Sequence, residues 1–152
     1  MTRVNNFARM FNNAKMLRGS GVGAAASSMS KNILDLTAWV TSDINPNNNS
    51  KYFGKNLNSM FEGCESLVGI LFPTINYVTS FDNLLKSCRM LQSIDLTPLG
   101  LATLVDGTPV ADIGIKSLNG IFQDCAKLTT ISGYQDWNVR GVTTFSKLFA
   151  GC

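Results

Sequence analysis

The chain has 152 residues, 45% of them hydrophobic, with a formal net charge of +3 and no histidine. That length suits one domain, and that composition an ordinary globular chain. The missing imidazole excludes the triads and dyads that need one, and no apolar stretch reaches the roughly 18 residues of a membrane-spanning helix.

Basic side chains crowd the start. Residues 1–34 carry five of them (Arg3, Arg9, Lys15, Arg18, Lys31) and no acid, while the rest carries eight basic and ten acidic groups. A nucleic-acid site would want clustered Lys/Arg with interleaved aromatics, and these charges are dispersed, so they read as a solvated face. Thr2–Arg18 is studded with Asn and Arg and has no signal-peptide core.

Phe7–Leu17 is the first statement of an eleven-residue phrase that recurs at Leu57–Leu67, Phe81–Leu91, Leu118–Leu128 and, shortened, Phe145–Cys152. Position 1 is Phe7, Leu57, Phe81, Leu118 and Phe145, and position 4 is Met10, Met60, Leu84, Ile121 and Leu148. Position 5 is Phe11, Phe61, Leu85, Phe122 and Phe149, and position 8 is Ala14, Cys64, Cys88, Cys125 and Cys152. The spacing 1, 4, 5, 8 predicts a short helix with one apolar stripe, closed by small or polar residues at positions 6 and 7. Two helical turns are unstable alone, so each stripe must be buried by the next copy.

Gly19–Ser28 is a small-residue loop. It lacks the preceding strand and the Gly-Lys-Ser/Thr ending of a phosphate loop, and it reads as a flexible insertion. Leu34-Asp-Leu-Thr37 is echoed by Ile94-Asp-Leu-Thr97, and Leu67-Val-Gly-Ile70, Leu91-Gln-Ser-Ile94 and Leu128-Thr-Thr-Ile131 share Leu-x-x-Ile. These runs predict short strands. An apolar anchor follows each (Trp39, Ile75, Leu99, Trp137), and Val4, Val78, Ile115 and Val142 lead into the next phrase. Thr41–Asn56 is an Asn-rich insertion whose Asn48-Asn-Ser50 fits a glycosylation acceptor. In Leu101–Gly114, Asp106-Gly107 signals a hairpin, with Pro109 keeping its second arm at an edge.

The interval from Cys64 to Cys88 is 24 residues, the shortest between successive cysteines. With Leu-x-x-Ile strands, that period belongs to leucine-rich repeats. The expected fold is an α/β repeat: a leucine-rich-repeat-like right-handed solenoid over residues 1–152. It would have a ladder of short parallel strands, short helical turns, about five coils, and insertions at about 18–31, 41–56 and 101–114. Cys64, Cys88, Cys125 and Cys152, with Phe61, Phe122 and Phe149, would form its internal ladder. Repeated slots favour free thiols acting as small hydrophobes, although the repeat spacing leaves Cys64–Cys88 and Cys88–Cys125 bridges open.

The phrase Met60-Phe-Glu-Gly-Cys64-Glu-Ser-Leu67, with Phe122-Gln-Asp-Cys125-Ala-Lys-Leu128 and Phe149-Ala-Gly-Cys152, resembles the BspA-like leucine-rich-repeat family. That family occurs in bacterial surface proteins, mycoplasma lipoproteins, protist surface antigens and phage-encoded proteins. The resemblance implies a right-handed solenoid, a location at a cell surface or in a virion, and adhesion to proteins, matrix or cells. It implies no catalytic residue.

The residues themselves offer no metal set, no cofactor motif and no close acidic motif. The expected activity is non-catalytic contact with a protein or glycan, through the outward strand positions Gln92, Ser93 and Asp95, with Thr129, Thr130 and Ser132. Val68, Gly69 and Leu71 would extend that face at its apolar end. The alternative is a structural part, such as a virion fibre or decoration domain, joined to its own kind or to a neighbouring subunit through bare solenoid ends. The hairpin Ala102–Ile113 and the loop Gly19–Ser28 are further places for specificity.

Overall fold

The computed structural model describes residues 6–17, 33–38, 55–73, 75–101, 115–135, 139 and 141–152. Val4, Trp39, Trp137, the loop Gly19–Ser28, the Asn48 triplet and the hairpin Ala102–Ile113 lie outside the described residues.

Seven short strands are present: β1 (Ile33–Asp35), β2 (Lys55–Asn56), β3 (Gly69–Leu71), β4 (Ile75–Ser80), β5 (Ser93–Asp95), β6 (Leu99–Leu101) and β7 (Thr130–Ser132). They form three sheets, β1-β3, β2-β4-β6 and β5-β7, and every pairing is parallel. Each pair joins equivalent segments of different copies. Leu34 lies opposite Ile70, Ile94 opposite Ile131, and the anchors Ile75 and Leu99 face each other. The two Leu-x-x-Ile sheets are linked where the Gln92 amide donates to the Val68 carbonyl at 3.0 Å.

The expected fold class is corrected at its centre: among the described residues there is no α-helix, and the chain is not a solenoid with helical turns. In all five copies, positions 3 and 7 have positive φ: Arg9 and Asn13, Ser59 and Gly63, Asn83 and Ser87, Gly120 and Asp124, Lys147 and Gly151. Two left-handed residues four apart cannot belong to a right-handed helix. They instead divide the phrase into a run of tight turns.

The backbone amides show how this conformation holds. Even-position amides close the turns, as Met60 to Leu57 O (3.1 Å), Glu62 to Ser59 O (3.2 Å) and Cys64 to Phe61 O (3.1 Å). Odd-position amides cross to the next copy, as Ser59 to Asp82 O (2.9 Å), Phe61 to Leu84 O (2.9 Å) and Gly63 to Lys86 O (2.8 Å). The alternation recurs from the first copy to the second, from the third to the fourth and from the fourth to the fifth. Each phrase thereby meets its backbone hydrogen-bonding needs partly within its own turns and partly through its neighbours.

Burial follows the same positions. Leu57, Met60, Phe61 and Cys64, then Phe81, Leu84, Leu85 and Cys88, then Leu118, Ile121, Phe122 and Cys125, are all in the core. Phe11 stacks on Phe61 at 5.3 Å and Phe122 on Phe149 at 5.5 Å, which makes position 5 an aromatic column that Leu85 interrupts. The outer copies are barer: Met10, Phe145 and Phe149 are exposed.

Candidate functional site

The four cysteines are free and share one role. Each thiol donates to the position-5 carbonyl of the preceding copy: Cys64 to Phe11 (3.1 Å), Cys88 to Phe61 (3.2 Å), Cys125 to Leu85 (3.2 Å) and Cys152 to Phe122 (3.0 Å). Burial pushes Cys64 up to about 11 and Cys125 up to about 12, and raises Cys88 further. Low-pKa thiolates are the reactive ones, so these are structural thiols. Cys152 makes the same bond, yet its residue is exposed.

A second column was missed in the sequence. At position 2, Asn58 Oδ1 accepts the Ser80 hydroxyl (2.6 Å) and the Asp82 amide (2.8 Å), and Asp82 Oδ1 accepts the Asn119 amide (3.0 Å). Asn119 Oδ1 then accepts the Thr144 hydroxyl (2.7 Å) and the Ser146 amide (2.9 Å). The signal was the Asn58/Asp82/Asn119 alignment, which a helical reading had no use for. At position 6, Glu62 spans three copies, accepting from Asn12 at 3.3 Å and pairing with Lys86 at 3.2 Å. Burial works against the Glu62 carboxylate, but hydrogen bonds from Ser59, Lys86 and Asn12 hold it below its usual range.

The structure brings the expected contact residues together on β5 and β7. Ser93 lies opposite Thr130 and Asp95 opposite Ser132. Much of their polarity is already engaged. The Thr129 hydroxyl donates to Gln92 O (3.1 Å), and the Ser132 hydroxyl to Asp95 Oδ1 (3.2 Å). Hydrogen bonds from the Thr97 side chain and amide hold the Asp95 carboxyl below its ordinary value, and Asp35 is held the same way by Thr37. Ser93 and Thr130 are the exposed hydroxyls left on the strip. At the apolar end Leu71 is exposed, but Gly69 is buried against Ile33, which removes it from the expected face.

An open groove of about 790 Å³ lies at the last copies. Leu128, Ile131, Tyr134, Val139, Leu148 and Phe149 are among its lining. Tyr134, Val139 and Phe149 are exposed at 53%, 43% and 54%, so this wall of the groove is bare apolar surface. Among the described residues, no group of three or more His, Cys, Asp or Glu side chains could hold a metal ion, and no helix is long and apolar enough to cross a membrane.

Comparison with known proteins finds no matching family model, no matching curated protein and no matching solved structure. The BspA-like resemblance therefore rests on the recurring phrase alone.

Proposed function

We propose that this chain is a non-catalytic binding module that meets a protein partner at the groove beside β7. The observation that supports it is the apolar lining of that groove, with Tyr134, Val139 and Phe149 left bare. Aromatic anchors in apolar depressions supply most of the energy of protein contacts. A glycan would instead favour the Ser93/Thr130 strip, which is narrow and partly engaged. Purified matrix proteins and a glycan array, each measured against the immobilised chain, test the reading. Phe149→Asp and Tyr134→Ala should weaken a protein contact about tenfold or more, with Ser93→Ala and Thr130→Ala nearly silent. Protein binding indifferent to Phe149 and Tyr134 would contradict it.

A second reading, assembly into a larger particle, is favoured by the two ends of the backbone ladder. The amides of Lys147, Phe149 and Gly151 have no hydrogen-bond partner among the described residues, and neither do the carbonyls of Ala8, Met10 and Asn12. These are the donors and acceptors that pair at internal junctions, so two copies are complementary head to tail. Such a contact does not close on itself and builds linear arrays. Met10→Asp and Phe149→Asp, each monomeric alone but forming a one-to-one pair when mixed, is the light-scattering signature expected. A wild-type chain that stays monomeric at every concentration would dispose of it.

A further inference from the structure

At the groove beside β7, residues equivalent to buried ones of the earlier copies are less covered. Leu67 and Leu91 are fully buried, but Leu128, their counterpart, is half-buried. Ile70 and Ile94 are each 3% exposed, while Ile131 is half-buried. Within each Leu-x-x-Ile sheet the earlier copy donates at the strand's end, Leu36 to Leu71 O and Leu96 to Ser132 O, both at 2.9 Å. The corresponding amide after β7, that of Gly133, has no partner among the described residues, and the same holds for Phe72 after β3, which has β5 beside it. In the other direction Val68 O accepts from Gln92 and Gln92 O from Thr129, while Thr129 O accepts from no described residue. The Thr129 carbonyl, equivalent to the Val68 and Gln92 carbonyls that join successive copies, thus has no donor among the described residues, on a strand whose groove side is apolar.

We propose that this slot takes an extended segment of Leu-x-x-Ile pattern from the partner, added parallel to β7; this rests on the groove reading above and names the partner's chemistry. Strand addition of this kind draws affinity from main-chain bonds and specificity from alternate side chains. The in-chain pairs set the register. Leu34 meets Ile70 and Ile94 meets Ile131, so the incoming Ile lies opposite Ile131. Its Leu, three residues earlier, covers Leu128. The x positions point outward and are unrestricted, as Gln92 and Ser93 are half-buried and exposed in β5's own copy. Phe149 and Leu148 wall the far side.

The probe is a synthetic peptide with the sequence of residues 90–97, Met-Leu-Gln-Ser-Ile-Asp-Leu-Thr, titrated into the whole labelled chain and followed by NMR. The expected result is saturable binding with a dissociation constant on the order of 10–100 µM. The largest shifts should fall on Thr129–Gly133. The same peptide carrying Ile94→Asp should bind at least about tenfold more weakly. The reversed sequence, which has the same composition but cannot pair in parallel register, should also lose binding. Tyr134→Ala in the protein, at an exposed position outside the aromatic column, should weaken the contact with dispersion and signal intensities unchanged. No binding, or equal binding of the reversed peptide, overturns the strand proposal. If that happens while a folded protein partner still requires Phe149 and Tyr134, only the strand proposal falls and the groove reading stands.

Discussion

Cys88 sits at 0% exposure with its thiol 3.2 Å from Phe61 O, and that carbonyl also accepts the Cys64 amide. Cys88→Ala removes a weak bond and a sulfur atom without orphaning the carbonyl. We expect a loss of about 1–2 kcal/mol in urea unfolding at constant m-value. The pH dependence has a definite sign. The folded thiols titrate above the ordinary value of 9.0, Cys64 at about 11 and Cys125 at about 12. Below that ordinary value the thiols are neutral in both states, and their contribution is fully present. As pH rises through the window from 9.0 to about 12, the unfolded chain ionises first and stability falls. Urea midpoints that stay level up to pH 11 would refute this. At position 7, Gly63 has φ +76°, and a Cβ there would lie 2.5 Å from Asn13 Oδ1. Gly63→Ala should cost about 1–3 kcal/mol, most of it backbone strain and displacement of Asn13.

At the scale of the phrase, the spacing 1, 4, 5, 8 fits two structures. A helix places those positions on one face because it turns every 3.6 residues. A run of turns with left-handed residues at positions 3 and 7 does so because it repeats every four. Buried positions such as Met60, Phe61 and Cys64 could therefore be read from sequence, while the element containing them was misread. The deciding residues were in view at position 7: Asn13, Gly63, Ser87, Asp124 and Gly151 favour the turn more than the helix. Arg9 and Lys147 at position 3 carry no such signal, and their φ is imposed by the stack. Strands were more legible, since Leu-x-x-Ile has no helical competitor of that length, and parallel pairing between copies followed from repetition. The contact strip on β5 and β7 was visible for the same reason. The groove was not, because it depends on which outer neighbour is absent beside Ile131. Asn58 gives a test at this scale. Asn58→Ala leaves the Asp82 amide and Ser80 hydroxyl without their acceptor and should cost about 1–3 kcal/mol, whereas Asp82→Asn keeps an acceptor for the Asn119 amide and should be nearly neutral. An Asn58→Ala variant as stable as the parent chain would show that the column carries no energy.

For the whole molecule, one backbone rule links copies into a stack: odd amides cross, even amides close turns. It accounts for the core, for the thiol column and for the amides of Lys147, Phe149 and Gly151, which have no partner among the described residues. Those same groups make the ends and the groove the places where a partner would gain most. Through-hydrogen-bond scalar couplings, measured by NMR on the isotope-labelled chain, test the rule directly. The account predicts couplings from the Phe61 amide nitrogen to the Leu84 carbonyl carbon and from Leu85 to Ile121, matching bonds of 2.9 and 3.0 Å. A coupling from Phe61 to the Leu57 carbonyl, the bond of an α-helix, would contradict it.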